Sequence, residues 1–69
     1  MKVSARNTLK GTIKKITAGT VNAEVVIEVA PGVDVVAMVT KASAEALGLA
    51  EGKEAYALVK ASSIMVAVD

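Results

Sequence analysis

Between Val21 and Val29 every odd-numbered residue is apolar (Val21, Ala23, Val25, Ile27, Val29), while Asn22, Glu24 and Glu28 share the other face with Val26. Period-two patterning of this kind puts one set of side chains on each face of an extended chain and specifies a half-buried strand. Ala30-Pro31-Gly32 follows. Proline presets φ and glycine accepts φ > 0, so this is a turn, and the β-branched run Val33 to Thr40 returns as the second arm of a hairpin. In that arm Val33, Val35, Ala37 and Val39 face one way, but Val36 and Met38 make the other face apolar too. Both faces call for cover.

Upstream, Val3 to Ile16 reads as extended chain interrupted by Gly11, where a glycine inside a strand pattern marks a bulge or bend. Ala18-Gly19 turns the chain into the long hairpin. Downstream, the alanine-rich stretch from Ala42 to Leu49 is the one helical segment, with Thr40 or Ser43 placed to cap its start and Gly48 to end it. Glu51-Gly52 is a further turn, Glu54 to Lys60 a strand, Ala61-Ser62-Ser63 a break, and Ile64 to Val68 a last strand. The pattern predicts an all-β fold, a small OB-like β-barrel of about five or six strands with one short helix.

A chain of 69 residues is close to the lower limit for a self-sufficient core, and here 54% hydrophobic content includes a single aromatic residue, Tyr56. Small scaffolds of this kind rely on disulfides, a metal or oligomerisation. Cysteine and histidine are both absent, which removes disulfides, thiol nucleophiles, Cys/His metal sites and imidazole acid–base catalysis together. Oligomerisation remains. A formal net charge of +1 is too balanced for a chain built to neutralise a nucleic-acid backbone. No apolar run approaches the ~20 residues that span a bilayer, and the opening Met1 to Asn7 has no apolar h-region behind it, so a cytoplasmic protein without membrane partners is the expectation.

Cationic residues beside small hydroxyl residues recur at strand ends: Ser4-Ala5-Arg6-Asn7, Thr40-Lys41-Ala42-Ser43 and Lys60-Ala61-Ser62-Ser63. Alanine lets a ligand approach the main chain, whose N–H groups then donate beside the hydroxyls and cations, and a shell of donors alone suits a small oxyanion. No paired carboxylate accompanies them, so the arrangement binds rather than reacts. Each residue also has an ordinary explanation. Arg6 can be a solvated surface charge, Thr40 and Ser43 a helix cap, Lys60 a guard on a sheet edge, and Lys10, Lys14 and Lys15 a wet face.

Ser4-Ala5-Arg6-Asn7-Thr8-Leu9-Lys10-Gly11 resembles the S-A-R-N-x-L-K-G opening of the Mop domain, the fold of the molybdate-binding molbindins. The likeness extends over residues 1–69 as a single Mop domain, through Ala23-Glu24-Val25, Ala46-Leu47-Gly48-Leu49 and Val59-Lys60-Ala61-Ser62. The resemblance implies a cytoplasmic, non-enzymatic protein that binds molybdate or tungstate as the intact dianion and needs no cofactor. It also implies a homo-oligomer, a hexamer built as a trimer of dimers, with its sites between subunits. Carried over by position, Ser4, Ala5 and Arg6 form one side of the oxyanion pocket, Lys60 with Ala61 or Ser62 another, and Thr40 and Ser43 a hydroxyl-bearing turn. Arg6 and Lys60 are expected from different subunits. For a second oxyanion site near a threefold axis the resemblance points to Gly19, Thr20, Val21 and Asn7.

Two rival functions are open to the same sequence. An oligonucleotide-binding OB domain would use Lys10, Lys14 and Lys15, but stacking contributes about 1–3 kcal/mol per base and only Tyr56 could supply it. A purely structural assembly module is the other.

Overall fold

The computed structural model describes residues 1–69 and contains β1 (Asn7–Ala18), β2 (Asn22–Ala30), β3 (Val33–Thr40), α1 (Lys41–Ala46) and β4 (Glu54–Val59), followed by one 3-10 turn at Ala61–Ser63. The strands form one antiparallel sheet in the order β3-β2-β1-β4. The fold is the expected OB-like all-β architecture, curled into a half-barrel, with one short helix.

The number of strands is corrected from five or six to four. Ile64 to Val68, read as a strand from its β-branched residues, pairs with nothing, and Ile64, Met65, Val66 and Val68 are 50%, 93%, 89% and 92% exposed. A strand needs a neighbour to satisfy its backbone groups, and within this chain none is offered. The helix is also shorter than the alanine-rich stretch, ending at Ala46 with Gly48 at φ 65° beyond it.

The β2–β3 hairpin forms as the alternation requires. Gly32 adopts φ 75° in the turn, and Ile27↔Val35, Val25↔Ala37 and Ala23↔Val39 pair across it. The odd-numbered face of β2 turns inward: Ala23, Val25 and Ile27 are buried, and Ile13 from β1 and Ala57 from β4 pack into the same layer. Only six residues are buried, so the inner face forms a thin layer rather than a closed core.

Strand β1 is long because it serves two neighbours, β4 along Asn7 to Thr12 and β2 along Thr12 to Ala18. The irregularity assigned to Gly11 lies instead between Ile13 and Lys15, where the β1–β2 register shifts around Lys14. Gly11 has a different task. A Cβ there would collide with the carbonyl oxygen of Glu28 and lie 2.8 Å from Ile27 Cγ2, so the close approach of β1 to β2 requires glycine. Just beyond it, Ile13 leaves the β4 ladder to bond the preceding turn, its N–H donating to Lys53 O and its carbonyl accepting from Gly52 N–H, both at 2.8 Å.

This topology sends the two ends of β1 in opposite directions. At one end Asn7 pairs with Val59, and the segments Ser4–Arg6 and Lys60–Ser62 leave the sheet side by side. At the other, Ala18 pairs with Ala23, and the Gly19–Val21 turn lies against the start of α1 through Lys41 N–H donating to Val21 O at 2.7 Å.

Candidate oxyanion site

Ser4, Ala5, Arg6, Lys60, Ala61 and Ser62 line one open groove, floored by Leu58, with a volume of about 570 Å³. The geometry follows from the ladder. Thr8↔Leu58 and Asn7↔Val59 are its last two rungs, and past them the chains carry their cations into solvent without further pairing. Lys60 is extended at φ −66°, ψ 127°, and the turn after it closes through Ser63 N–H to Lys60 O (2.9 Å) and Ile64 N–H to Ala61 O (3.3 Å). That bonding pattern leaves the N–H groups of Ala61 and Ser62 unused.

No carboxylate lines the groove. The side chains of Ser4, Arg6, Lys60 and Ser62 make no hydrogen bond or ion pair within the chain. The remaining lysines with close partners are committed elsewhere: Lys10 to Glu54 at 3.4 Å, Lys14 to Asp34 at 3.1 Å and Glu28 at 3.9 Å, and Lys53 to Gly48 O at 3.0 Å. Lys14 consequently titrates above the ordinary lysine value of 10.5, first through its hydrogen bond to Asp34 and then through the charge of that carboxylate. A pair of uncommitted cations beside two hydroxyls and free N–H groups can neutralise a dianion and donate to several of its oxygens at once. Charge-assisted hydrogen bonds of this type are about twice as strong as neutral ones.

Arg6 and Lys60, expected from different subunits, already line one groove within a single chain. The β1–β4 ladder holds their segments together, a long-range pairing that residue types alone did not reveal. Thr40 and Ser43 lie elsewhere. Thr40 pairs with Asn22 at the far end of the sheet and caps α1, its Oγ1 accepting from Ser43 N–H at 3.0 Å while donating to Ser43 Oγ at 2.8 Å. This arrangement satisfies the Thr40 hydroxyl proton and leaves that of Ser43 free to donate outward.

Gly19, Thr20 and Val21 line a second groove with Thr17, Ala18, Asn22, Glu24 and Met38. Asn7, grouped with them from sequence, is at the opposite end of the 12-residue β1 and does not line this groove within one chain. The only charged side chain on this groove is the carboxylate of Glu24, which opposes an anion. The residue that sequence reasoning missed is Leu58, the apolar floor of the first groove. Its position two residues before Lys60 on the same strand face was the available signal.

A model of the TOBE domain matches residues 3–66. The chain is 48% identical over its full length, and over the full length of the relative, to a probable molybdenum-pterin-binding protein of Haemophilus influenzae. It is 46% identical over 97% of its length to molybdenum-pterin-binding protein MopA of Rhodobacter capsulatus, of which it spans only 25%. Among solved structures, a molybdate-binding protein from Sporomusa ovata superposes with a TM-score of 0.91 at 41% identity, covering 99% of this chain and 100% of the other. The cytoplasmic molybdate-binding protein ModG, with molybdate bound, superposes with a TM-score of 0.83 at 46% identity over 88% of this chain and 43% of its own. With a domain match across nearly all of its residues and a full-length relative at this identity, the chain belongs to the TOBE-domain family and, within it, to the Mop proteins.

Proposed function

We propose that this protein binds molybdate, and tungstate by the same chemistry, as the intact tetrahedral dianion, and that it serves to store or buffer the oxyanion in the cytoplasm. The observation that carries the reading is the groove in which Arg6 and Lys60 stand with Ser4 and Ser62 and no carboxylate. The names of the Mop relatives and of the molybdate-bound ModG structure support the ligand class. Those relatives are described as binding proteins, which agrees with a shell that has no general base and no activated nucleophile.

The site lies between subunits of a homo-oligomer, a hexamer. Thr40 and Ser43 are separated from the groove by the length of β1, whose 12 residues rise ~3.3 Å each. They can join a shell with Arg6 and Lys60 only when a second copy brings its helix cap to the groove. Assembly also has a surface to use. The inner face of the half-barrel is an open apolar cleft of about 410 Å³, lined entirely by hydrophobic residues that include Ile13, Val35, Leu49 and Val59. The segment Ile64–Val68, apolar, uncharged and unpaired, leaves directly from the Ala61–Ser63 turn. Placed in the cleft of a second copy, that segment would cover both apolar surfaces and tie the Lys60 wall of the groove to the assembled state. A second oxyanion site at Gly19–Val21 requires cations from neighbouring copies to outweigh Glu24.

Calorimetric titration with molybdate, tungstate, sulfate and a short oligonucleotide, paired with light scattering on size exclusion, tests the reading. Molybdate and tungstate are expected to bind and sulfate much less. At ~100 times the dissociation constant the ligand adds about 2.7 kcal/mol of stability per independent site. No heat and no stabilisation with molybdate at millimolar concentration overturns the ligand assignment, and a mass near 7.0 kDa at micromolar concentration overturns the intersubunit site. Equal response to sulfate reduces the groove to generic charge binding.

A further inference from the structure

We infer that Asn7 is the positioning residue of the oxyanion groove: its side chain fastens the two walls together at their root without touching the anion. The inference rests on the oxyanion reading of the groove. Asn7↔Val59 is the final pair of the β1–β4 ladder, and the Asn7 side chain adds a bond across it, Nδ2 donating to Val59 O at 3.3 Å over a sequence separation of 52 residues. Arg6 and Lys60 are the next residue on each side, and no backbone pairing joins their segments beyond that rung. Two cations therefore diverge from a single fastened point.

The physical need for a fastener follows from the charges. In the empty groove Arg6 and Lys60 repel, and a sheet end frays most easily at its last rung. A spread between the walls separates donors that must converge on one small ligand, where misplacement costs affinity. The side chain at this position has to donate to a carbonyl, stay short enough to remain half-buried between the strands, and bring no charge of its own. Aspartate would set a carboxylate against the Val59 carbonyl, and lysine would add a third cation. Asparagine meets all three conditions. The location of Asn7, far from the Gly19–Val21 turn, also excludes it from that groove within one chain.

The test compares Asn7→Ala, Asn7→Gln and Asn7→Asp with the parent protein, by molybdate titration, thermal unfolding without ligand, and amide exchange. Loss of one net hydrogen bond corresponds to about three- to tenfold. Asn7→Ala is expected to weaken molybdate binding by that factor while the oligomer and the ligand-free melting temperature stay near the parent values. Asn7→Gln, which keeps an amide donor on a longer side chain, is expected to recover part of the affinity, and Asn7→Asp, which sets a carboxylate beside the groove, to bind more weakly than Asn7→Ala. Unchanged affinity in Asn7→Ala overturns the inference. So does a loss in Asn7→Ala far beyond tenfold with amide exchange at Lys60 to Ser62 unchanged, which would make Asn7 a direct ligand. Equal losses in the Gln and Ala variants with a matching fall in melting temperature would reduce it to general stabilisation. If the parent itself binds no molybdate, the oxyanion reading fails separately. The fastener is then read from the ligand-free protein, where amides of Lys60 to Ser62 must exchange faster in Asn7→Ala, and unchanged exchange overturns it.

Discussion

The two ends of β1 carry grooves of similar construction and opposite chemistry. Each forms where paired strands run out, and each is lined by small and hydroxyl residues. At the Asn7 end the charged members are Arg6 and Lys60; at the Ala18 end the one charged member is Glu24. Hydroxyls and a turn are thus common features of a sheet edge, and the sign of the charge decides which end can hold an anion. The second difference is commitment. Thr40 and Ser43, beside the Ala18 end, spend part of their hydrogen-bonding capacity on each other and on the helix cap. The side chains of Ser4, Arg6, Lys60 and Ser62 at the Asn7 end have no partner within the chain.

The largest expected effect breaks the Asn7 end directly. Once a second copy covers the groove and excludes water from it, Arg6→Ala and Lys60→Ala should each lower molybdate affinity by about 2–5 kcal/mol, the cost of removing one member of a desolvated, hydrogen-bonded charge pair, or about thirtyfold or more. Thr20→Ala at the other end should leave molybdate affinity at the Arg6–Lys60 groove unchanged; an equal loss of that affinity would erase the distinction between the grooves. Subunit mixing sharpens the point. Because Arg6 and Lys60 share one chain, mixing their two variants should restore no sites, whereas mixing Arg6→Ala with a Thr40→Ala/Ser43→Ala double variant should restore some.

Gly11→Ala acts between the ends. Its Cβ meets the Glu28 backbone, and forcing such a contact costs about 1–3 kcal/mol. Chemical unfolding should show this loss with both grooves affected alike, and a stability equal to the parent would mean that β1 passes β2 at Gly11 with room to spare. Thr40→Ala removes the cap of α1 and should cost about 1 kcal/mol of stability, with a fall in molybdate affinity only in the assembled protein.

The smallest effect is expected at Lys14→Met, which removes the ion pairs to Asp34 and Glu28 on an exposed face and should leave molybdate affinity at the parent value. Its signature lies in pH. The lysine titrates higher in the folded chain than unfolded, so its contribution is complete below the ordinary lysine value of 10.5 and is lost as pH rises through the elevated folded value. Parent and variant melting temperatures should therefore stay apart from neutrality up to the ordinary lysine value and converge in strong alkali, and a difference that disappears near neutrality would contradict the pairing.

Local patterning made the hairpin, the helix cap and the donor character of three segments legible before any coordinates. Val21 to Val29 alternates because one face of β2 is buried, and a period of two survives in the sequence as burial alone. The Gly32 turn and the Thr40 cap are likewise contacts between residues a few positions apart. What residue types could not reveal was anything set by distant pairing. The register Asn7↔Val59 puts Arg6 and Lys60 in one groove and sends Thr40 and Ser43 to the opposite end of the sheet. Gly11, read as a bulge or bend, is a point of close approach to β2, because only the position of the Glu28 carbonyl shows what its missing side chain avoids. Ile64 to Val68 carries the composition of a strand and has no partner in its own chain, since strand propensity is local and a ladder is not. The sequence by itself determined which residues favour extended chain, where the chain turns and that its free donors suit an oxyanion. The tertiary structure decided which donors meet, because side chains converge only through strand register, and register joins residues that are far apart along the chain.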